Sequence, residues 1–377
     1  MSLPKTYLQM HSTVTEDAEL RLELVEKELK MPQSDQVLIK VEATPINPSD
    51  HGVMFGVGDV SKATSSGEGK DRVLTMPVPP IGMQFMKGRI GKPQQPGNEG
   101  AGLVVAAGDS PYAQSLMGKR VGAMGGGMYG EYRLVNAMMC LPLKDENTAK
   151  EGASCFVNPL TALSFFETMR MEGHKAIVHS AAASNLGQML NRIGQADGVD
   201  IVNIVRRKEQ VDLLKGMGAK YVVNSSDDRF MKDLIDAVDA TGATLGFDAT
   251  GGGRMASDML FAMEQAALRS PSDYSVYGST RFKQVYIYGR LDTSQTTLNM
   301  SYGFSWSLGA WLLPRFLEKA GMDVAVRLRQ RVANELTTTF ASHYTDELSL
   351  ADALDADVAR RHNAKKTGEK FLILPNG

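Results

Sequence analysis

Between Lys175 and Val205 the chain leaves a short apolar strand at 176–180, crosses a turn of small residues and enters a helix that begins near Leu186. It then reaches a second apolar strand, Ile201–Val205. Strands that are apolar throughout, rather than alternating, are buried on both faces, as in parallel sheets covered by helices. The texture continues beyond this unit. Helix-like runs at 209–217, 230–240 and 254–268 separate strand-like runs at 221–223, 244–248 and 285–289. That β-α alternation predicts an α/β fold with a doubly wound, Rossmann-type parallel sheet over residues 158–311.

The flanks read differently. Residues 1–157 are β-rich, with alternation at 19–24 (ELRLEL) and 36–43 (QVLIKVEA) and an apolar run at 102–106. Glycine and proline punctuate the gaps, as expected of short strands in a barrel-like domain. From 312 the texture is mixed, and the chain ends in a strand signal at 368–374 (GEKFLIL). That strand is expected to rejoin the first domain, making it discontinuous, 1–157 with 312–377. Residues 59–95 hold Ser, Gly, Pro and charge clusters around one apolar patch. They predict a long loop, either a lid or a surface decoration.

Bulk properties exclude several classes. The 41 basic and 43 acidic residues give no field that would favour nucleic acid or an anionic membrane. Two cysteines, Cys140 and Cys155, make neither a disulfide framework nor a four-cysteine zinc lobe. The N-terminal MSLPKTYLQM lacks the apolar core of a signal peptide, and no stretch reaches the roughly 18 apolar residues of a membrane span. A cytoplasmic protein is expected.

The turn itself, SAAASNLG (180–187), runs through Ser180, Ala182, Ala183, Ser184, Asn185, Leu186 and Gly187. A strand–turn–helix of small residues lets backbone N–H groups approach a pyrophosphate, with the helix dipole helping. Ala182, Ser184 and Gly187 hold the three positions of a GxGxxG pattern, so only the last is glycine. An ordinary strand–helix turn is the alternative. The neighbouring strand ends at Val205, about 20 residues beyond the middle position, where an NAD-binding unit places an acid for the ribose 2′-hydroxyl. Here Arg206, Arg207 and Lys208 follow instead. Guanidinium groups bind a 2′-phosphate through paired charge-assisted bonds, so the expected cofactor is NADPH rather than NADH. Alternatively these cations solvate the next helix, although a helix N-terminus disfavours them.

With these residues in view, the chain resembles the zinc-independent medium-chain dehydrogenase/reductases, nearest in pattern to quinone oxidoreductases. Seven short segments carry the resemblance in the family's order: INPSD (46–50), PGNEGAG (96–102), GEY (130–132), NPLTA (158–162), SAAASNLG (180–187), FDATGG (247–252) and KTGEKFLIL (366–374). The resemblance implies a GroES-like substrate domain, a Rossmann cofactor domain, an active site in the cleft between them and a homodimer. It further implies that Thr250, Tyr288 and Gly289, at strand ends, line the cofactor.

Departures narrow the chemistry. Asn47 and Asn98 stand where zinc-dependent relatives have ligands, and Val157 precedes NPLTA; two amides and an alkyl chain make no zinc site. The enoyl-thioester reductase branch carries a tyrosine acid where this chain has Gly58. The expected reaction is therefore metal-free hydride transfer to a small electron acceptor, a quinone or a conjugated enone, with donors for the developing anion from Asn47, Thr161 and Tyr129. Tyr129 is alternatively a packed wall residue. Two other readings stay open: an enoyl-thioester reductase with a displaced proton donor, and an NADPH-binding protein with weak turnover.

Overall fold

A computed structural model describes residues 3–270, 276–299 and 301–377; Met1 and Ser2, which open the N-terminal stretch, lie outside the described residues. The chain forms two compact units, Met1–Val157 with Arg329–Gly377, and Asn158–Leu328.

In the first unit, β1 (Thr6–Val14) and β2 (Glu19–Glu28) make an antiparallel hairpin in unbroken register from Thr6↔Glu28 to Val14↔Leu20. The ELRLEL alternation buries Leu20 and Leu22 and leaves Glu19 outside, as a period of two requires. β3 (Gln36–Pro45) follows, then β4 (Thr64–Ser66), β5 (Val73–Pro77), β6 (Glu99–Ala107), β7 (Arg120–Met124), β8 (Tyr132–Asn136) and β9 (Cys140–Pro142). One sheet has the order β1-β2-β5-β4. In the other, β3 pairs antiparallel with both β6 and β8.

Residues 59–95 are not the long loop expected. They supply β4, β5 and the helix Pro80–Met86, and β5 completes the first sheet by pairing with β2. Val60, Ala63, Leu74, Met76, Val78 and Met86 enter the core beside Leu20 and Leu22. Polar clamps fix the segment further. Arg89 donates to the Gly52 and Val53 carbonyls and to Ser12 Oγ, while Ser65 Oγ and Arg72 donate to the carbonyls of Leu354 and Ala351. Polar composition hid the strands because β4 is exposed and only alternate residues of β5 turn inward.

The second unit holds β10 (Ile177–His179), β11 (Ile201–Val205), β12 (Tyr221–Asn224), β13 (Leu245–Asp248), β14 (Gly251–Gly253), β15 (Lys283–Ile287), β16 (Asp292–Thr296) and β17 (Trp306–Ala310). Six strands form one parallel sheet in the order β12-β11-β10-β13-β15-β17. This is the doubly wound Rossmann order. Its apolar strands are buried as read, with every residue of β10, β11 and β13 inside. β14 and β16 pair separately, in parallel.

The chain returns to the first unit at Arg329, not near 312. Trp311 holds the intervening segment to the second unit: its indole N–H donates to Thr168 Oγ1 at 3.1 Å and its ring stacks on Phe316 of the helix Leu313–Ala320. Back in the first unit, β18 (Asp346–Leu348) and β19 (Phe371–Ile373) lengthen the second sheet, and β19 lies antiparallel to β3 with Leu372↔Pro45 and Ile373↔Thr44. Among the described residues no helix is long and apolar enough to cross a membrane.

An ion pair sits inside the second unit. Lys283 and Glu264, with side chains 0% and 3% exposed, meet at 2.6 Å. Lys283 also donates to Ser279 Oγ and the Arg281 carbonyl, and Glu264 accepts both the N–H and the hydroxyl of Ser279. Removing one partner of such a pair strands the other charge. Lys283→Met is expected to lower the unfolding free energy by roughly 3–5 kcal/mol, and adding Glu264→Leu to recover part of that loss. Urea denaturation of the two variants checks this; equal losses would count against it.

Candidate functional site

The turn after β10 is closed by contact. A Cβ at Gly187 would lie 2.1 Å from the Ala182 carbonyl oxygen, so helix Asn185–Asp197 packs on the turn only with glycine there. Ser184 is the helix N-cap, and its Oγ accepts from the Gly187 N–H. The hydroxyl oxygen thus serves the helix, while its proton is not used in that bond. Ala182 and Ala183 bury their methyl groups against Val205 and Leu214, and Leu186 is buried as well. Backbone, not side chain, is what this turn offers. The first-turn N–H groups of a helix have no acceptors within it and point along the positive end of its dipole, the chemistry of an anion site.

The turn stands where the strand order reverses, between β10 and β13, the position at which doubly wound sheets bind ligands beyond their strand ends. There Asp248 organises the backbone. Its Oδ1 accepts from Ser180 Oγ at 2.7 Å and from the Thr250 N–H, and its Oδ2 accepts from the Gly251 N–H. Ser180 and Thr250, singled out separately in the sequence, are thereby brought together, with Thr250 Oγ1 at 3.4 Å from Ser180 Oγ. Gly289 abuts the next strand end, since a Cβ there would lie 2.4 Å from the Ala249 carbonyl. The N–H groups of Leu291, Asp292 and Thr297 bind the carbonyls of Ala249, Thr250 and Gly253, so this strand end is zipped to β16.

Tyr288 meets a histidine that the sequence did not single out. His179 Nε2 lies 2.7 Å from the Tyr288 hydroxyl, beside the stacked rings of Phe165 and Phe247. Burial pushes His179 down to about 3, so the imidazole is neutral. Burial, helped by the charge of Asp248, raises the Tyr288 hydroxyl, which makes it a structural wall rather than an acid. Arg206, Arg207 and Lys208 are all exposed just past β11. Gln210 Oε1 accepts the N–H groups of Arg206 and Arg207, fixing the backbone there. Lys208 is engaged with Asp212 at 2.9 Å, so the two arginines are the available cations. Ser294, with the charge of Arg206 adding to it, holds Asp292 below the usual carboxylate range.

In the first unit the structure gathers Asn47 and Tyr129 around two buried carboxyls, Asp50 and Glu99. Asn47 Nδ2 donates to Glu99 Oε1 at 2.8 Å, and the N–H groups of Phe156 and Val157 donate to Glu99 Oε2. Asp50 accepts the N–H groups of Asn47 and Asn98 at 2.8 Å each. Burial pushes Asp50 up to about 7 against those bonds, and raises Glu99 as well. Lys370 completes the group, donating to Asn47 Oδ1 at 3.3 Å. Tyr129 is fully buried and its hydroxyl donates to the Pro45 carbonyl, with burial and then the Asp50 charge raising it well above its ordinary value. It is the packed wall residue of the alternative reading, not a proton donor. Thr161 belongs to the other unit, buried on helix Val157–Met171.

Sequence reasoning missed Asp248, His179, Glu99 and Lys370. The first three lie inside or beside motifs already read, at FDATGG, SAAASNLG and PGNEGAG, so spacing alone could have found them. Lys370 also lies in a motif already read, KTGEKFLIL, but its place beside Asn47 required the β19–β3 pairing. His51, beside Asp50, is buried, and its Nε2 lies 3.0 Å from His362 Nδ1 in a stack with Phe55. Among the described residues no group of three or more His, Cys, Asp or Glu is placed to hold a metal ion.

The alcohol dehydrogenase GroES-like domain family matches residues 33–145. Over its full length the chain superposes on the crystal structure of a protein described as an NADPH:quinone reductase, from Mesorhizobium loti, with 27% identity, TM-score 0.73 and complete coverage of both chains. These likenesses indicate the medium-chain dehydrogenase/reductase superfamily. Curated proteins resemble the chain more locally. The bovine (Bos taurus) mitochondrial enoyl-[acyl-carrier-protein] reductase is 29% identical over 189 residues, 43% of this chain and 48% of that one. The chloroplastic quinone-oxidoreductase homolog of Spinacia oleracea is 26% identical over 212 residues, 54% and 56%. The chain spans about half the length of these curated relatives. Within the superfamily frame, the GroES-like match contains Asn47, Asp50, Glu99 and Tyr129 and leaves the turn at 180–187 outside it.

Gly187→Ala is expected to force the helix off the turn, lowering stability by about 1–3 kcal/mol and weakening dinucleotide binding at least tenfold. Thermal denaturation and fluorescence titration with reduced cofactor read the two effects; unchanged affinity would mean that the turn seats no dinucleotide.

Proposed function

We propose that this protein is a zinc-independent, NADPH-dependent reductase that passes a hydride to a quinone or to an alkene conjugated with a carbonyl. One observation carries the reading: a strand-to-helix turn closed by Gly187 at the sheet's switch point, with Arg206 and Arg207 exposed just past the neighbouring strand. The cradle fits a dinucleotide because its close contacts leave room only for backbone. The likeness to the Mesorhizobium loti protein supports the same cofactor and acceptor class.

When bound, NADPH would supply hydride from C4 of its nicotinamide. The chain's own residues do the rest. First-turn N–H groups of helix Asn185–Asp197 take the pyrophosphate, and Arg206 and Arg207 take the 2′-phosphate. The Ser180–Asp248–Thr250 bonds hold the strand ends still beneath the ring. Asn47, both of whose amide atoms are engaged, orders the polar group of the first unit rather than meeting the acceptor, and Thr161 of the second unit is the polar side chain offered to it. A zinc role does not suit this donor set. The Asn47 amide is committed to Glu99 and Lys370, and neither Asn98 nor Val157 is a zinc ligand type. A homodimer in the cytoplasm is the expected state.

The bovine relative favours a second reading, reduction of an enoyl thioester. Following the loss of nicotinamide absorbance with a naphthoquinone, an enone and an enoyl-CoA separates the two. NADPH binding with no turnover on any of them would overturn both. Arg206→Ala is expected to weaken NADPH by roughly 1.5–3 kcal/mol while leaving NADH nearly unchanged. Equal affinity of the parent protein for the two cofactors would refute the assignment.

A further inference from the structure

Two histidines far apart in the chain meet inside the first unit. Helix Asp50–Met54 carries His51 and helix Ala356–Asn363 carries His362. Their rings lie 5.1 Å apart and nearly parallel, with His51 Nε2 3.0 Å from His362 Nδ1. Phe55 stacks on both, and Phe371 of β19 meets His362 edge-on. Both histidines are buried, and the other two ring nitrogens, His51 Nδ1 and His362 Nε2, have no hydrogen-bond partner among the described residues. Neutral rings share one proton across the contact, one nitrogen donating and the other accepting. The base site still open is the outer nitrogen of the donating ring. A proton added there makes a buried imidazolium whose N–H reaches no acceptor. A second proton has to go onto the inner acceptor nitrogen, which breaks the bond between the rings and sets two like charges together.

We propose that the two rings are an acid-sensitive latch: neutral, they pin helix Ala356–Asn363 to helix Asp50–Met54, and protonation frees the C-terminal helix. The latch is independent of the chemistry proposed above. The helix it holds buries Ala356 and Ala359 in the same core as Leu20 and Leu22, so release uncovers apolar surface. Its other half directly follows Asp50, whose carboxyl accepts the N–H groups of Asn47 and Asn98.

Among the described residues no carboxylate hydrogen-bonds either ring. Asp50 is committed to the two N–H groups, and Arg89 donates to the Gly52 and Val53 carbonyls of the same helix. On the C-terminal helix, Arg360 donates to the Ala63 carbonyl and to Asp357, and Arg361 to Asp346. On the neighbouring turns, Asp59 is taken by Ser61 and Lys62, and Asp352 by Ser349 and Arg72. Burial pushes His362 down to about 4. Burial, then the charges of His362 and Lys365, hold His51 well below the ordinary histidine value. A freed histidine binds its proton at about 6.5, so between there and about 4 the released form holds protons that the latched form lacks. Release therefore grows as pH falls through that window, by up to about tenfold per pH unit for each ring. Asp50 has the opposite sign. Burial pushes it up to about 7, so the latched form takes up that proton first and acid favours it.

Backbone hydrogen exchange of the whole chain, read by peptide mass spectrometry at about pH 7 and about pH 5 and corrected for the intrinsic rate, follows release. Protection over residues 356–363 is expected to fall at least about tenfold, with β6 and β7 of the same unit unchanged. Exchange at the histidine ring C2 carbon across the same series gives the midpoints of His51 and His362, both expected well under about 6.5. His51→Phe with His362→Phe keeps the stack on Phe55 and removes the titration, so its protection over residues 356–363 is expected to stay level. A parent helix that keeps its protection in acid, ring midpoints at the ordinary histidine value, or the same fall in the double variant overturns the latch. Should the double variant fail to fold, the two readouts on the parent decide, and failure of either one overturns the latch.

Discussion

A single buried carboxylate, that of Glu99, joins three distant stretches of the first unit. It accepts from the Asn47 amide at the end of β3, from the N–H groups of Phe156 and Val157, and it faces the ammonium of Lys370 beside β19. An ionised group out of water is costly unless its lone pairs are occupied. Here they are, so β6, the β3–helix corner and the C-terminal strand have one arrangement that satisfies the charge. The same arrangement turns the Asn47 amide so that its oxygen faces Lys370 and its nitrogen faces Glu99. Polar specificity in this unit therefore comes from a buried acid.

The second unit is governed by space. Gly187, Gly289 and Gly251 stand where backbone approaches backbone, and an added methyl at any of them would lie within 2.5 Å of a carbonyl oxygen. Close approach lets the strand ends of β10, β13 and β15 share one network centred on Asp248. A rigid floor results, built from main-chain groups and two hydroxyls, and a flat heteroaromatic ring needs such a floor to be held in one orientation.

Much of this was legible in the residues. The Rossmann strands announced themselves because parallel strands buried on both faces are apolar throughout, and the first-unit strands because alternation survives at 19–24 and 36–43. The turn at 180–187 was found from small residues before a helix. What escaped depended on pairing. Polar, exposed β4 and half-exposed β5 read as loop, because β5 pairs with β2 about 50 residues away, β4 pairs with β5, and composition carries no trace of either pairing. Residues 312–328 read as the start of the tail, because the contacts of Trp311 that hold this segment to the second unit leave no mark in composition. Lys370 looked like a terminal-strand residue until β19 was seen beside β3.

β2 is covered on both sides, by β1 and by β5. The stretch that provides β5 is thus a sealing strip along an otherwise open row of N–H and C=O groups, whatever it contributes elsewhere. A shorter form of the chain, natural or engineered, would carry β2 as a bare margin with leucines beneath it, a template for strands of other molecules. A trimmed version would need a charged or bulged border in its place.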